Sequence, residues 1–153
     1  MNKEIQIYTD GSSLGNPGPG GWGTVIVENT KIIHELGGHD KDTTNNRMEL
    51  QAAIEALKHM HKIHKEDIVT IHADSAYVLN GITSWIFGWE KNGWRTANKK
   101  PVLNQDLWQE LIGLVREFRG KIIWQKVKGH SGHIYNDKAD EIATTYAAKH
   151  RSS

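Results

Sequence analysis

Four acids carry the chemistry that this chain of 153 residues offers. Asp10 closes a short alternating run, Ile5-Gln6-Ile7-Tyr8-Thr9, and is followed at once by Gly11. Glu49 stands near the start of a predicted helix, Asp74 ends a second β-rich run, and Asp140 lies early in the last predicted helix. Each acid also has a structural reading. Asp10-Gly11 suits a turn. Glu49 stands three residues past Asn46, the spacing of a capping box. Asp74 suits an N-cap, and Asp140 suits a solvated helix face. The set argues further than its members. Asp10 and Asp74 end strands expected to be neighbours, and ligand sites in α/β sheets gather at such ends. Asp140 shares a helix face with Ala143 and Ala147, which turns it inward. Four carboxylates in a chain without cysteine form a hard-oxygen set, suited to Mg²⁺ or Mn²⁺. Two such ions, about 3.5–4 Å apart, activate a water and stabilise a leaving oxygen at one phosphorus.

The elements that must position these acids follow from patterning. Residues 5–10 predict a strand. Residues 11–23, rich in glycine with two prolines, predict a turn-rich connection. Strands are predicted over 22–27 and 32–36, joined by a two-residue hairpin at Asn29-Thr30, with a polar loop over 37–44. A helix over 46–61 carries Leu50, Ile54, Leu57 and His61 along one stripe. A strand over 68–73 follows, then short helices over 75–81 and 83–91 and a basic loop over 93–101. A helix over 106–118 presents Leu107, Leu111, Leu114 and Phe118. A strand over 121–127, a Gly/His loop and a helix over 135–150 complete the order. Early hairpins imply antiparallel pairing and later strand-helix alternation implies parallel crossovers. The expected class is α/β, a five-stranded mixed sheet flanked by helices, in one domain over 1–153 with a frayed tail from about 149.

Composition excludes several classes. Hydrophobic residues make up 37% and charged residues 24% of the chain, as in a globular protein, with a formal net charge of +1. The absence of cysteine removes disulfides and thiolate metal sites. No signal-peptide core and no apolar run of about 18 residues is present, so a cytoplasmic protein without a membrane partner is expected. His59, His61 and His64 include a helix-compatible metal pair but read as a charged helix end, and His133 reads as loop structure.

Thr9-Asp10-Gly11-Ser12, Gly15-Asn16-Pro17-Gly18, Thr44-Asn45-Asn46-Arg47-Met48-Glu49-Leu50, Asp74-Ser75 and Val127-Lys128-Gly129-His130-Ser131-Gly132-His133 resemble, in order, the motifs of type 1 ribonuclease H. The resemblance runs from about Ile5 to Ala148. It implies a ribonuclease H-like fold and endonucleolytic hydrolysis of the RNA strand of RNA–DNA hybrids, leaving 5′-phosphate and 3′-hydroxyl ends. It implies Asp10, Glu49, Asp74 and Asp140 as ligands of two Mg²⁺ ions, with Asp10 bridging them and Mn²⁺ able to substitute. His130 matches a histidine that assists proton transfer or product departure. Counting from His130 selects Asp140 over Asp137 as the fourth ligand.

The resemblance also implies how the hybrid is held. Asn16, Asn45 and Glu49 would lie near ribose 2′-hydroxyls, the contact that tells RNA from DNA. Trp85 would meet a DNA sugar, and Thr44 and Asn104 a DNA phosphate. Lys91, Trp94, Arg95, Lys99 and Lys100 would belong to a basic protrusion, where cations among aromatics suit a phosphate-bearing strand. Ala76 stands where bacterial relatives often carry glutamine and Ser13 where they often carry cysteine, and Glu90 and Asn92 would dilute the protrusion. The glycines after Asp10 would let the backbone approach the RNA strand. A monomer is expected. Two other readings share the fold: a hybrid-binding module without catalysis, which would be expected to have lost an acid, and a strand-transferase or reverse-transcriptase-derived domain, which would need segments that 153 residues do not hold.

Overall fold

Ile5 and Ile7 of strand β1 (Glu4–Ser13) are fully buried on one face of the sheet, and Tyr8 is buried on the other. A strand covered on both sides belongs at the centre of a sheet, and β1 is there. The computed structural model describes residues 3–63, 66–127 and 133–149. Within them β2 (Gly18–Glu28), β3 (Lys31–Thr43), β4 (Ile68–Ala73) and β5 (Lys121–Lys126) complete a five-stranded sheet in the order β3-β2-β1-β4-β5. β1, β2 and β3 pair antiparallel, and β1, β4 and β5 pair parallel, as the order of elements predicts.

Asn29 and Thr30 both have positive φ, 52° and 64°, which is the two-residue turn expected between β2 and β3. Two expected loops are strand instead. β1 runs on to Ser13 and β2 begins at Gly18, so only residues 14–17 turn, closed by the Leu14 N–H donating to the Pro19 carbonyl at 2.7 Å. Residues 37–43 pair with β2 down to Gly18↔Thr43 and extend β3. Composition suggested breaks, but a long hairpin satisfies the backbone of glycine-rich chain as well as that of any other.

Helices cover both faces. α1 (Asn45–Ile63) lays Leu50, Ile54 and Leu57, all fully buried, on the face that holds Ile5 and Ile7. Each such side chain contributes roughly 1.5–3 kcal/mol by leaving water. His61, expected at a solvated helix end, is half-buried. Its Nε2 lies 2.9 Å from the Leu114 carbonyl and its ring meets Phe118 edge-on. α2 (Ala76–Asn80), a π-helical turn (Gly81–Trp85) and α3 (Ile86–Lys91) run on as one bent helical stretch. α4 (Gln105–Glu117) buries Leu107, Trp108 and Leu111. α5 (Ile134–Lys149) covers the opposite face.

The seat of α5 explains the glycines. A Cβ on Gly21 would strike the Ala143 carbonyl and the Ala147 nitrogen, and one on Gly23 would strike the Ala139 carbonyl. Ala139, Ala143 and Ala147 are fully buried. Glycine meets alanine, so helix and sheet backbones come almost into contact. On the other face, a Cβ on Gly11 would strike the backbone at Met48 and Glu49. At Gly11, Gly21 and Gly23 the missing Cβ admits two helices. Because Gly23 is the register partner of Asp10, the approach of α5 brings Asp140 to Asp10.

Candidate active site

Asp10 stands near the end of β1, on the face toward α5. Its Oδ1 accepts the Gly11 N–H at 2.9 Å, and the same N–H reaches Glu49 Oε1 at 3.1 Å. One backbone donor therefore holds carboxylates from a strand and a helix together. Glu49 is no part of a capping box. The Thr44 hydroxyl caps α1 by accepting the Arg47 N–H at 3.2 Å, which leaves Glu49 free to turn toward β1. Asp74 does not cap α2 either: Ser75 does, accepting the Val78 N–H at 3.2 Å, and Asp74 is left exposed at the end of β4. Asp140 projects from α5 toward Asp10 and stays exposed at the rim.

The electrostatics follow from crowding like charges. Burial pushes the Asp10 carboxyl up to about 6, with Asp140 raising it and Glu49 and the Gly11 N–H pulling it down. Glu49 is driven well above the usual carboxylate range, first by burial, then by Asp10, with Asp74 adding to it. Two ionised carboxylates cannot hydrogen-bond, so the Asp10–Glu49 contact requires a proton or a cation between them. Glu49 Oε2 shows the same need, being buried with no hydrogen-bond partner. Among the described residues no three such side chains close into a finished ligand set. Asp10 meets Glu49 and Asp140, and the Asp74 charge acts on Glu49. Oxygen-only donors, one buried and orphaned, fit a hard divalent cation.

A family model described as RNase H matches residues 2–148. The chain belongs to the ribonuclease H family. A ribonuclease H from Thermosynechococcus vestitus is 56% identical over 137 residues, covering 90% of this chain and 84% of its own. The crystal structure of LC9-RNase H1, a type 1 RNase H with the type 2 active-site motif, superposes with a TM-score of 0.85 at 31% identity. It covers 98% of this chain and 74% of the other. LC11-RNase H1, solved in complex with RNA/DNA hybrid, gives 0.71 at 25% identity over 95% and 97% of the two chains. The five-stranded mixed sheet expected of a ribonuclease H is the one observed.

The other predicted site residues divide into three groups. Asn16 and Asn45 come together across the 14–17 turn, Asn16 Oδ1 accepting the Asn45 N–H at 3.3 Å. Thr44 and Asn104 are joined through Arg47, whose backbone N–H meets Thr44 and whose guanidinium reaches Asn104 Oδ1 at 3.2 Å. Trp85, 42% exposed, stands edge-on to Tyr77. In the basic segment Trp94 is half-buried against Trp89, while Lys91, Arg95, Lys99 and Lys100 are exposed. The segment is a small built hairpin: Arg95 bridges Pro101, the Thr96 N–H meets the Lys100 carbonyl at 2.8 Å, and Arg95 donates to the Lys99 carbonyl at 3.1 Å. Both oxygens of Glu90 are taken by Arg116, at 2.5 and 2.6 Å. His130 lies outside the described residues. Arg47 and Tyr77, which bond Thr44 and Asn104, were not among the predicted site residues. Arg47 stood inside the quoted Thr44–Leu50 motif, but nothing local marked Tyr77.

Proposed function

We propose that this chain hydrolyses the RNA strand of RNA–DNA hybrids at the Asp10, Glu49, Asp74 and Asp140 cluster, with divalent cations held by those carboxylates. The observation that carries the reading is the meeting of Asp10 with Glu49 and Asp140, with the Asp74 charge acting on a Glu49 that has a buried, unpartnered oxygen. When bound, Mg²⁺ supplies Lewis-acid stabilisation and an acidified water. The chain's own contribution is placement. The Gly11 N–H gathers Asp10 and Glu49 onto one side, and the glycine seat of α5 delivers Asp140. Asp10, which meets both Glu49 and Asp140, would hold metal together with each of them, the role the resemblance gives it. His130 is assigned proton transfer or product departure on the resemblance alone.

Hybrid selectivity is assigned to both strands. Asn16 and Asn45, with Glu49, would face ribose 2′-hydroxyls. Thr44 and Asn104 would take a DNA phosphate, and Trp85 a DNA sugar. Lys91, Trp94, Arg95, Lys99 and Lys100 would add a salt-sensitive grip on the backbone. The protein is taken to be a cytoplasmic monomer of one domain; among the described residues no helix is long and apolar enough to cross a membrane. The test is a cleavage assay on hybrid, duplex RNA and duplex DNA with Mg²⁺, with Mn²⁺ and with chelator. Cleavage of the hybrid's RNA strand alone, with 5′-phosphate and 3′-hydroxyl ends and only with metal, is expected. Cleavage of duplex RNA, or cleavage in chelator, overturns the reading.

A further inference from the structure

Glu90 is the only acid between Asp74 and Asp106, and four cations follow it, Lys91, Arg95, Lys99 and Lys100. It stands one residue before the end of α3, where the chain turns back at once. The Trp94 N–H donates to the Trp89 carbonyl at 2.6 Å, and the Gly93 N–H reaches the Glu90 carbonyl at 3.4 Å. The acid therefore lies at the root of the basic hairpin, where an uncompensated carboxylate would repel phosphates that the hairpin holds. Arg116, in the last turn of α4, meets it there with both prongs of its guanidinium, at 2.5 and 2.6 Å. The contact holds the Glu90 carboxyl below its ordinary range and Arg116 above its own, so both stay ionised at neutral pH. Arg116 and Asn104 stand at opposite ends of α4, about 18 Å apart at the helical rise, so Arg116 is no part of the Thr44–Asn104 corner.

A mechanical tie between α3 and α4 and a balance of charge would both use this pair. Magnitudes favour the balance. The Arg116 side chain is 54% exposed and that of Glu90 26%, and an exposed ion pair adds little stability. The joint is already held from inside: Trp89 packs against Trp108 at 5.4 Å and Trp94 at 6.3 Å, and the Val102 N–H closes the hairpin onto the Trp94 carbonyl at 3.1 Å. Charge, by contrast, acts over about 10 Å at ordinary salt, enough to reach the hairpin that folds back beside Glu90. We propose that Arg116 compensates Glu90 from α4, so that the hairpin meets the backbone of the hybrid as a wholly cationic surface. Arg116 acts through Glu90, as a positioning residue, and touches no nucleotide itself. The proposal rests on the hybrid-binding reading above.

The experiment measures hybrid affinity by fluorescence anisotropy in chelator, so that cleavage does not enter, at ~0.05 M and ~0.5 M salt. A unit charge about 10 Å from a phosphate in water changes affinity roughly twofold, so two or three phosphates within reach give about fivefold. Arg116→Gln should therefore weaken binding about fivefold at the lower salt and hardly at all at the higher. Glu90→Gln should bind no more weakly than the native protein. The double variant, Glu90→Gln with Arg116→Gln, should regain native affinity, and Arg116→Lys, which keeps the charge, should bind like the native protein. Arg119→Gln makes the same change of net charge elsewhere, beside Glu66 and Lys121, and should weaken binding less than about twofold. Melting curves confirm that each variant folds. A double variant as weak as Arg116→Gln overturns the proposal, since Arg116 would then touch the hybrid itself. Weakened binding by Glu90→Gln at both salts overturns it in favour of a mechanical tie. An equal loss in Arg119→Gln reduces the effect to net charge and overturns it as well. A native protein that binds no hybrid at either salt sinks the hybrid-binding reading, and this inference with it.

Discussion

At the ends of β1 and β4 four acids crowd together, and the most buried of them has an oxygen with no partner. Where α1, α2 and α4 meet, Arg47, Asp106, Asn104, Tyr77 and Trp108 pair charge with charge and donor with acceptor. Both regions hold polar groups against a hydrophobic core. The first is electrostatically frustrated and the second nearly satisfied. The frustrated region relaxes only with an added cation or protons. The satisfied region already has its charges and its donors and acceptors paired within the protein. The two regions thus differ in how much of their charge and hydrogen-bonding capacity is compensated inside the protein.

The contrast can be broken most forcefully at Asp10. Asp10→Asn should reduce hybrid cleavage at least about a thousandfold, since metal-held charge supplies several kcal/mol to the transition state. In chelator the same change should raise Tm by a few degrees, because it removes a crowded charge. A clear fall in Tm would show that Asp10 is structural. Next in size is Gly23→Ala. Its Cβ meets the Ala139 carbonyl, so α5 must shift, at a cost of about 1–3 kcal/mol. Tm should fall by roughly 3–10 °C, and cleavage should fall with it as Asp140 leaves Asp10. Full activity in a destabilised Gly23→Ala protein would show that Asp140 is not held there by the glycine seat.

The two regions respond to pH with opposite sign. Asp10 binds its proton more tightly folded, near 6, than unfolded, near 3.8. In chelator its contribution to stability is therefore present below about pH 4 and lost as pH rises toward 6. The Arg47 guanidinium holds the Asp106 carboxyl below its ordinary value, so its contribution is present above the ordinary carboxylate range and lost as pH falls. Melting curves of the native protein, Asp10→Asn and Asp106→Asn at pH 4 and pH 7 separate them. The Tm gain of Asp10→Asn should grow with pH, and so should the Tm loss of Asp106→Asn. The Asp106 effect is the smallest, under about 1 kcal/mol, because the pair is largely exposed. A gain for Asp10→Asn that is constant across this range would remove the crowding argument.

Local pattern carried much of this molecule. The apolar stripe Leu50, Ile54, Leu57 predicted α1, alternation predicted β1, and Asn29-Thr30 predicted the hairpin, because faces with periods of 3.6 and 2 are written in neighbouring residues. The four acids stood out because hard-oxygen ligands without cysteine narrow the chemistry. The seat of α5 was decided by tertiary structure alone. Whether a glycine serves a turn, a ligand or a close helix depends on what packs over it, and Gly23 meets Ala139, 116 positions later (139 − 23). The capping roles that Asn46 and Asp74 could have played went to Thr44 and Ser75. The Arg47–Tyr77 corner is likewise beyond local pattern: Arg47 and Asn104 are 57 residues apart and Tyr77 and Trp108 are 31 apart. The sequence by itself determined which groups can accept, donate or hold charge. Only the fold decided which of those capacities are spent inside the protein and which remain for a ligand, because that depends on contacts between residues distant in the chain.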